Sequence, residues 1–160
     1  MREHETFENS GKQGRAPGAV VVSGANADGF LVSVDAGGHR LLADEPVGYG
    51  GTDRGPSPYA YLSVALASCT AMTLNFFARR EKLPLQSVQV EVRHKRIHAE
   101  DCADCSSKSG FVDRFQQRVT LTGDLDQEQR ALLLKIAGRC PVHKTLHAEV
   151  SILTELVDNS

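Results

Sequence analysis

The stretch Ser57-Pro58-Tyr59-Ala60-Tyr61-Leu62-Ser63-Val64-Ala65-Leu66-Ala67-Ser68-Cys69-Thr70-Ala71-Met72-Thr73 carries the strongest helical signal in the chain. Ser57 is a preferred N-cap residue type, and Pro58 suits the first helical position, where a missing N–H costs nothing. From there Leu62, Ala65, Leu66, Cys69, Met72, Thr73 and Phe76 recur at helical spacing. The pattern predicts a helix to about Arg80, before Pro84 closes the region. It places Cys69 on the same face as Leu62, Leu66 and Phe76. Residues 65–71 are mostly small, which lets a second helix approach closely, so the expected helix is central and contacts another.

Strand signals flank this helix. On the N-terminal side, 19–23 reads as a strand, Asn26 to Gly29 as a turn, and 30–35 as an alternating strand. Gly37-Gly38 is a hairpin signal, and His39 to Ala43 returns as a third strand. Pro46 to Pro58 is rich in glycine and proline and reads as an irregular loop. On the C-terminal side, Val88, Val90 and Val92 open a strand running to about His98, and a polar loop follows to Gly110. A further strand covers Arg114 to Thr122. Asp126 then caps a shorter helix whose inner face carries Leu132, Leu133 and Ile136. Val150, Ile152 and Thr154 alternate as a last strand. Three strands, a long helix, two strands, a short helix and a strand make a segregated α+β layout with antiparallel sheets. The expected organisation is a loose N-terminal tail over 1–17 and a single domain over 18–160.

Composition narrows the function classes. The 160 residues suit one domain able to bury a core without staples. A net charge of -2 argues against nucleic-acid or anionic-membrane partners, which call for a basic surface. No apolar run approaches the roughly 20 residues of a membrane span. The N-terminus lacks an apolar signal segment, so the expected location is the cytoplasm.

In that compartment the four cysteines, Cys69, Cys102, Cys105 and Cys140, point to metal or redox roles rather than a disulfide framework. Cys69 in mid-helix is open to two readings, a packed core thiol or a nucleophile beside the glycine-rich loop. Cys140 sits in Arg139-Cys140-Pro141-Val142-His143-Lys144, where Pro141 stops the preceding helix and His143 and Lys144 bring positive charge that favours a thiolate. His143 has acid–base and helix-end readings. Cys102-Ala103-Asp104-Cys105 spaces two sulfurs as tetrahedral zinc requires, with His98 as a third candidate ligand. Two ligands are half a structural site, so a redox disulfide and reduced loop cysteines stay open beside zinc.

The segment Gly50 to Tyr59, continued by Leu62 to Thr73, resembles the central-helix motif of the OsmC/Ohr family. Gly123 to Asp126, with Ile136 through His143, resembles that family's second cysteine motif. The resemblance covers about Val20 to Leu156 and belongs with an OsmC-like branch carrying Gly-Pro-Ser-Pro before the helix. It implies an intertwined homodimer with long central helices and active sites at the subunit interface. It further implies a thiol peroxidase reducing organic hydroperoxides in oxidative-stress defence, with Cys69 peroxidatic and Cys140 resolving. No cofactor is implied; the reductant is an external dithiol.

The family's peroxidases carry a glutamate where this chain has Tyr59, and an arginine in the N-terminal hairpin where the turn Gly24 to Gly29 has none. Arg54 is the candidate replacement cation, and Tyr59 has both pocket-lining and packing readings. The alternative function is a non-catalytic OsmC-like module that binds a small ligand, its interface cysteines not activated.

Overall fold

The computed structural model describes residues 18–157; the expected tail over 1–17 lies outside them. Two compact units divide the chain, one ending at Pro58 and the other beginning at Tyr59.

The first unit is a three-stranded antiparallel meander of β1 (Val20–Ser23), β2 (Val32–Ala36) and β3 (His39–Ala43), in that spatial order. A one-turn 3₁₀ helix, Asn26–Asp28, occupies the expected turn between β1 and β2. Gly37 and Gly38 have φ of 60° and 90°, the positive pair that a two-residue hairpin turn requires. The register sets Val34 opposite Val22 and Leu41. The loop after β3 is not wholly irregular, because Val47–Tyr49 forms a second 3₁₀ turn.

The second unit is built on α1 (Pro58–Arg80), which has the bounds its sequence predicts. An antiparallel ribbon of β4 (Leu85–His98) and β5 (Phe111–Gly123) follows, with an irregularity between Leu85 and Ser87. The ribbon packs with α1 and with α2 (Gln127–Ala137) around Leu74, Ala78, Leu125, Leu133, Ile136 and Ala137. Phe77, Val88, Val119 and Leu121 close the edges of that cluster. Asp126 caps α2 through a complete capping box, accepting from the Gln129 N–H while Gln129 accepts from the Asp126 N–H. Among the described residues the architecture is α+β, with antiparallel sheets and three α-helices.

Four details differ from expectation. The buried face of α1 is Leu66, Thr70, Leu74 and Ala78, a four-residue stripe. The expected face through Leu62, Cys69 and Phe76 lies to one side of it, and Phe76 and Met72 stay exposed. At 100° per residue both stripes suit a helix, and a threonine in the true one concealed it. By length and composition alone α1 is long and apolar enough to span a membrane, although Ser and Thr interrupt its apolar run. Leu74 and Ala78 of its buried stripe pack in the cluster just described. Pro141 does not end α2, which stops at Ala137 with Gly138 as its C-cap; it opens a third helix, α3 (Pro141–His147). Residues 149–157 form no strand.

Candidate active site

Cys140 is held by the start of α3. Its backbone is extended (φ -62°, ψ 143°), it is the N-cap, and Pro141 takes the first helical position. The sulfur occupies the place a serine oxygen would fill and accepts from the His143 N–H at 3.2 Å. A second contact comes from α1, whose Thr70 hydroxyl lies 3.4 Å from Cys140 Sγ and 3.0 Å from Gln117 Oε1 on β5. Cys140 and Thr70 are both fully buried. One hydroxyl proton cannot serve both neighbours, so the trio has two arrangements. In one, Cys140 donates to Thr70 and Thr70 donates to the Gln117 carbonyl. In the other, the Gln117 amide is turned to donate and the Thr70 proton points at sulfur.

Cys69 immediately precedes Thr70 and is half-buried and free. It lines an open groove of about 520 Å³ with Ala65, Met72, Thr73, Phe76, Pro141 and Val142. The groove wall is mostly apolar, so it favours the hydrocarbon part of a small molecule over its polar part. Thr73 ties its hydroxyl to the Cys69 carbonyl at 2.8 Å and leaves the thiol to the groove. Cys69 therefore stands on α1 facing the two residues that follow Cys140.

A second cleft, of about 380 Å³, is lined by His143, His147, Asp113, Gln117, Asp104 and Cys105. The rings of His143 and His147 stack at 4.7 Å on successive turns of α3. Burial, and then the neighbouring His147, hold the His143 imidazole below the ordinary histidine range, so its neutral form is favoured. Gln117 thus connects this cleft with the Thr70–Cys140 contact. Cys102 and Cys105 are joined as a disulfide. His98 packs its ring on Phe111 at 4.3 Å. Among the described residues, Cys102, Asp104 and Cys105 are the cluster with metal-ligating atoms mutually within 4.8 Å, so Asp104 stands where the sequence had suggested His98.

Tyr59 is half exposed and stacks on His94 at 4.3 Å, with the rings nearly parallel. His94 in turn bonds Asp113 at 2.9 Å and leans on Phe115, its cross-strand partner. Nothing in the sequence tied His94 to Tyr59.

In the first unit, the glycine-rich loop is organised by a residue the sequence reading passed over. Asp44 is 2 % exposed. Its carboxylate accepts from the Thr52 hydroxyl at 2.6 Å and from the backbone N–H groups of Glu45, Thr52 and Arg54 at 2.8, 3.1 and 3.2 Å. The Thr52 hydroxyl first, then the three amides, outweigh burial and hold this carboxyl below its usual range. Gly51 passes so close to the Glu45 carbonyl that any Cβ there would overlap it. Arg54 is fixed through its main chain while its side chain is exposed.

Comparison with known proteins agrees with this construction. Solved structures of the same fold include an OsmC-like protein from Mycoplasma pneumoniae (16 % identity, 82 % of this chain and 88 % of that one, TM-score 0.63). Similar also is OsmC from Legionella pneumophila, an organic hydroperoxide resistance protein (18 % identity, 82 % and 91 %, TM-score 0.59). A third is the organic hydroperoxide resistance protein OhrB of Bacillus subtilis (21 % identity, 79 % and 87 %, TM-score 0.56). Comparison with the curated proteins found no match. The family profile described as OsmC-like protein matches residues 51–155, a span that holds α1, the ribbon, α2, α3 and all four cysteines, and the chain therefore belongs to the OsmC-like family.

Proposed function

We propose that the chain is a thiol peroxidase that reduces organic hydroperoxides, acting in the cytoplasm as part of oxidative-stress defence. The observation that carries this reading is a junction of two elements. Thr70, next to Cys69 on α1, touches Cys140 Sγ, and the residues after Cys140 line the groove that holds the Cys69 thiol. Family membership and the hydroperoxide resistance of similar proteins support it.

The Cys69 thiolate attacks the outer oxygen of R–O–O–H. The O–O bond breaks, the alkoxide leaves and takes a proton as R–OH, and Cys69 becomes a sulfenic acid. The Cys140 thiol then attacks that sulfur, water departs and a disulfide forms. An external dithiol returns two electrons by thiol–disulfide exchange and restores both thiols. The apolar groove receives the R group and gives such peroxides an advantage over hydrogen peroxide. We assign Cys69 the peroxidatic role and Cys140 the resolving role, with Arg54, Tyr59 and His143 as supporting candidates. The active form is a homodimer.

Cys69→Ser abolishes dithiol-dependent consumption of a bulky alkyl hydroperoxide. Cys140→Ser permits one turnover, followed by a sulfinic acid at Cys69 visible by mass spectrometry. Undiminished turnover in Cys69→Ser would sink the mechanism. Arg54→Ala, Tyr59→Phe and His143→Gln test the supporting roles through kcat/KM.

A further inference from the structure

The loop between β4 and β5 carries the second pair of sulfurs. Cys102 is buried, Cys105 is half-buried, and the two are joined as a disulfide. Asp104 Oδ1 lies 3.4 Å from Cys102 Sγ, with the Arg114 guanidinium 3.7 Å from the same carboxylate oxygen. Cys105 and Asp104 open onto the cleft whose other wall carries His143 and His147.

Reduction of this disulfide leaves two sulfurs and a carboxylate whose donor atoms lie within 4.8 Å of one another, with a single arginine at the edge. The reduced sulfurs can keep their protons as neutral thiols, or a divalent cation can displace those protons and sit among the three donors. Two sulfurs spaced Cys-x-x-Cys, a carboxylate and a nearby imidazole are the donors of a tetrahedral, borderline-soft metal, and zinc is the ion that fits them. A hard ion such as calcium or magnesium takes oxygen ligands only and does not suit this set. The disulfide and metal binding exclude each other, because both use the same sulfur electrons.

We propose that Cys102, Asp104 and Cys105 form a redox-gated zinc site, completed by an imidazole from α3, which holds zinc when reduced and releases it when a peroxide closes the disulfide. In the releasing step two zinc-bound thiolates lose two electrons to R–O–O–H. The S–S bond forms, the O–O bond breaks, two protons are taken up, and R–OH, water and Zn²⁺ leave. The site lies apart from the Cys69 groove and needs neither Cys69 nor Cys140. Since Cys140 caps the same α3 that carries the imidazoles, zinc ties the loop to the element that holds Cys140.

The test uses the full chain, reduced with a phosphine, titrated with zinc against a chromophoric chelator, then oxidised with an alkyl hydroperoxide. The reduced protein takes up one zinc ion per chain, and oxidation releases it in step with loss of two thiols. Asp104→Asn still closes its disulfide but binds zinc at least about tenfold more weakly, and Cys102→Ser/Cys105→Ser loses the site. A Cys69→Ser/Cys140→Ser chain keeps both uptake and release, which separates this site from the proposed peroxidase pair. Equal zinc binding by the reduced and oxidised chains, or binding that survives the Cys102/Cys105 change, overturns the proposal.

Discussion

Thr70 is adjacent to Cys69 in sequence and to Cys140 in space, and its hydroxyl is the polar link between α1, β5 and α3. Thr70→Val keeps the volume and removes that link. Gln117 Oε1 and Cys140 Sγ are then left without their buried partner, a loss of about 1–3 kcal/mol in a urea denaturation curve. If the peroxidase reading holds, attack on peroxide is unaffected, and formation of the second disulfide slows because Cys140 loses its orienting contact. Rapid-mixing thiol counts distinguish those steps. Asp44 gives a second prediction at this scale. Its folded pKa lies below the ordinary 3.8, so on acidification the unfolded chain takes the proton first. The stability it contributes is present above about 3.8 and is lost as pH falls through the lower folded value. Asp44→Asn weakens the loop at neutral pH and flattens that acid limb, as monitored by thermal melts from pH 2 to 6. Neither role was legible in the sequence. Asp44 and Thr70 act through partners up to 70 residues away, and no local pattern encodes such contacts.

Cys140 has two jobs at the level of the element, and they can be separated. As the N-cap of α3 it satisfies the His143 N–H, and a serine oxygen can do the same. Cys140→Ser therefore keeps stability within about 0.5 kcal/mol, while Cys140→Ala costs about 1 kcal/mol in the same denaturation experiment. Both variants lose the resolving thiol. A redox defect shared by the two, with a stability defect only in alanine, assigns the chemistry to sulfur. In α1, Leu74 is fully buried at the centre of the cluster, and Leu74→Ala costs about 2–5 kcal/mol. The long elements were the legible ones. The limits of α1, the Gly37-Gly38 turn and the Asp126 cap all follow from local rules that the structure obeys. The seven residues of α3 fill only two turns, too few for a period to emerge. The four-residue stripe of α1 was hidden by Thr70, a polar residue whose burial depends on Gln117 and Cys140.

At the scale of the whole molecule the informative residues are apolar ones left in water. Val150, Ile152 and Thr154 alternate as a strand does, yet 149–157 take no regular structure in the single chain. Ile152, Leu153 and Leu156 are 81 %, 84 % and 92 % exposed. On α1, Met72 and Phe76 stand 69 % and 61 % exposed at the rim of the groove that holds Cys69. An alternating segment gains its hydrogen bonds only from a sheet edge, and an exposed apolar rim gains only from being covered. A second copy of the chain supplies both, which is the physical content of the homodimer proposed above. A stable pair of this kind buries on the order of 800 Å² per partner. The native protein is thus expected to sediment as a dimer at micromolar concentration. Phe76→Asp sets a charge on the rim and shifts it toward monomer, and truncation after Ala148 does the same by removing the unpaired segment. The groove widens to solvent in both variants, so activity toward bulky hydroperoxides falls in proportion to the monomer fraction, while Cys69 remains in place. A native protein that sediments as a monomer, or variants that keep both mass and activity, would remove the second copy from the site.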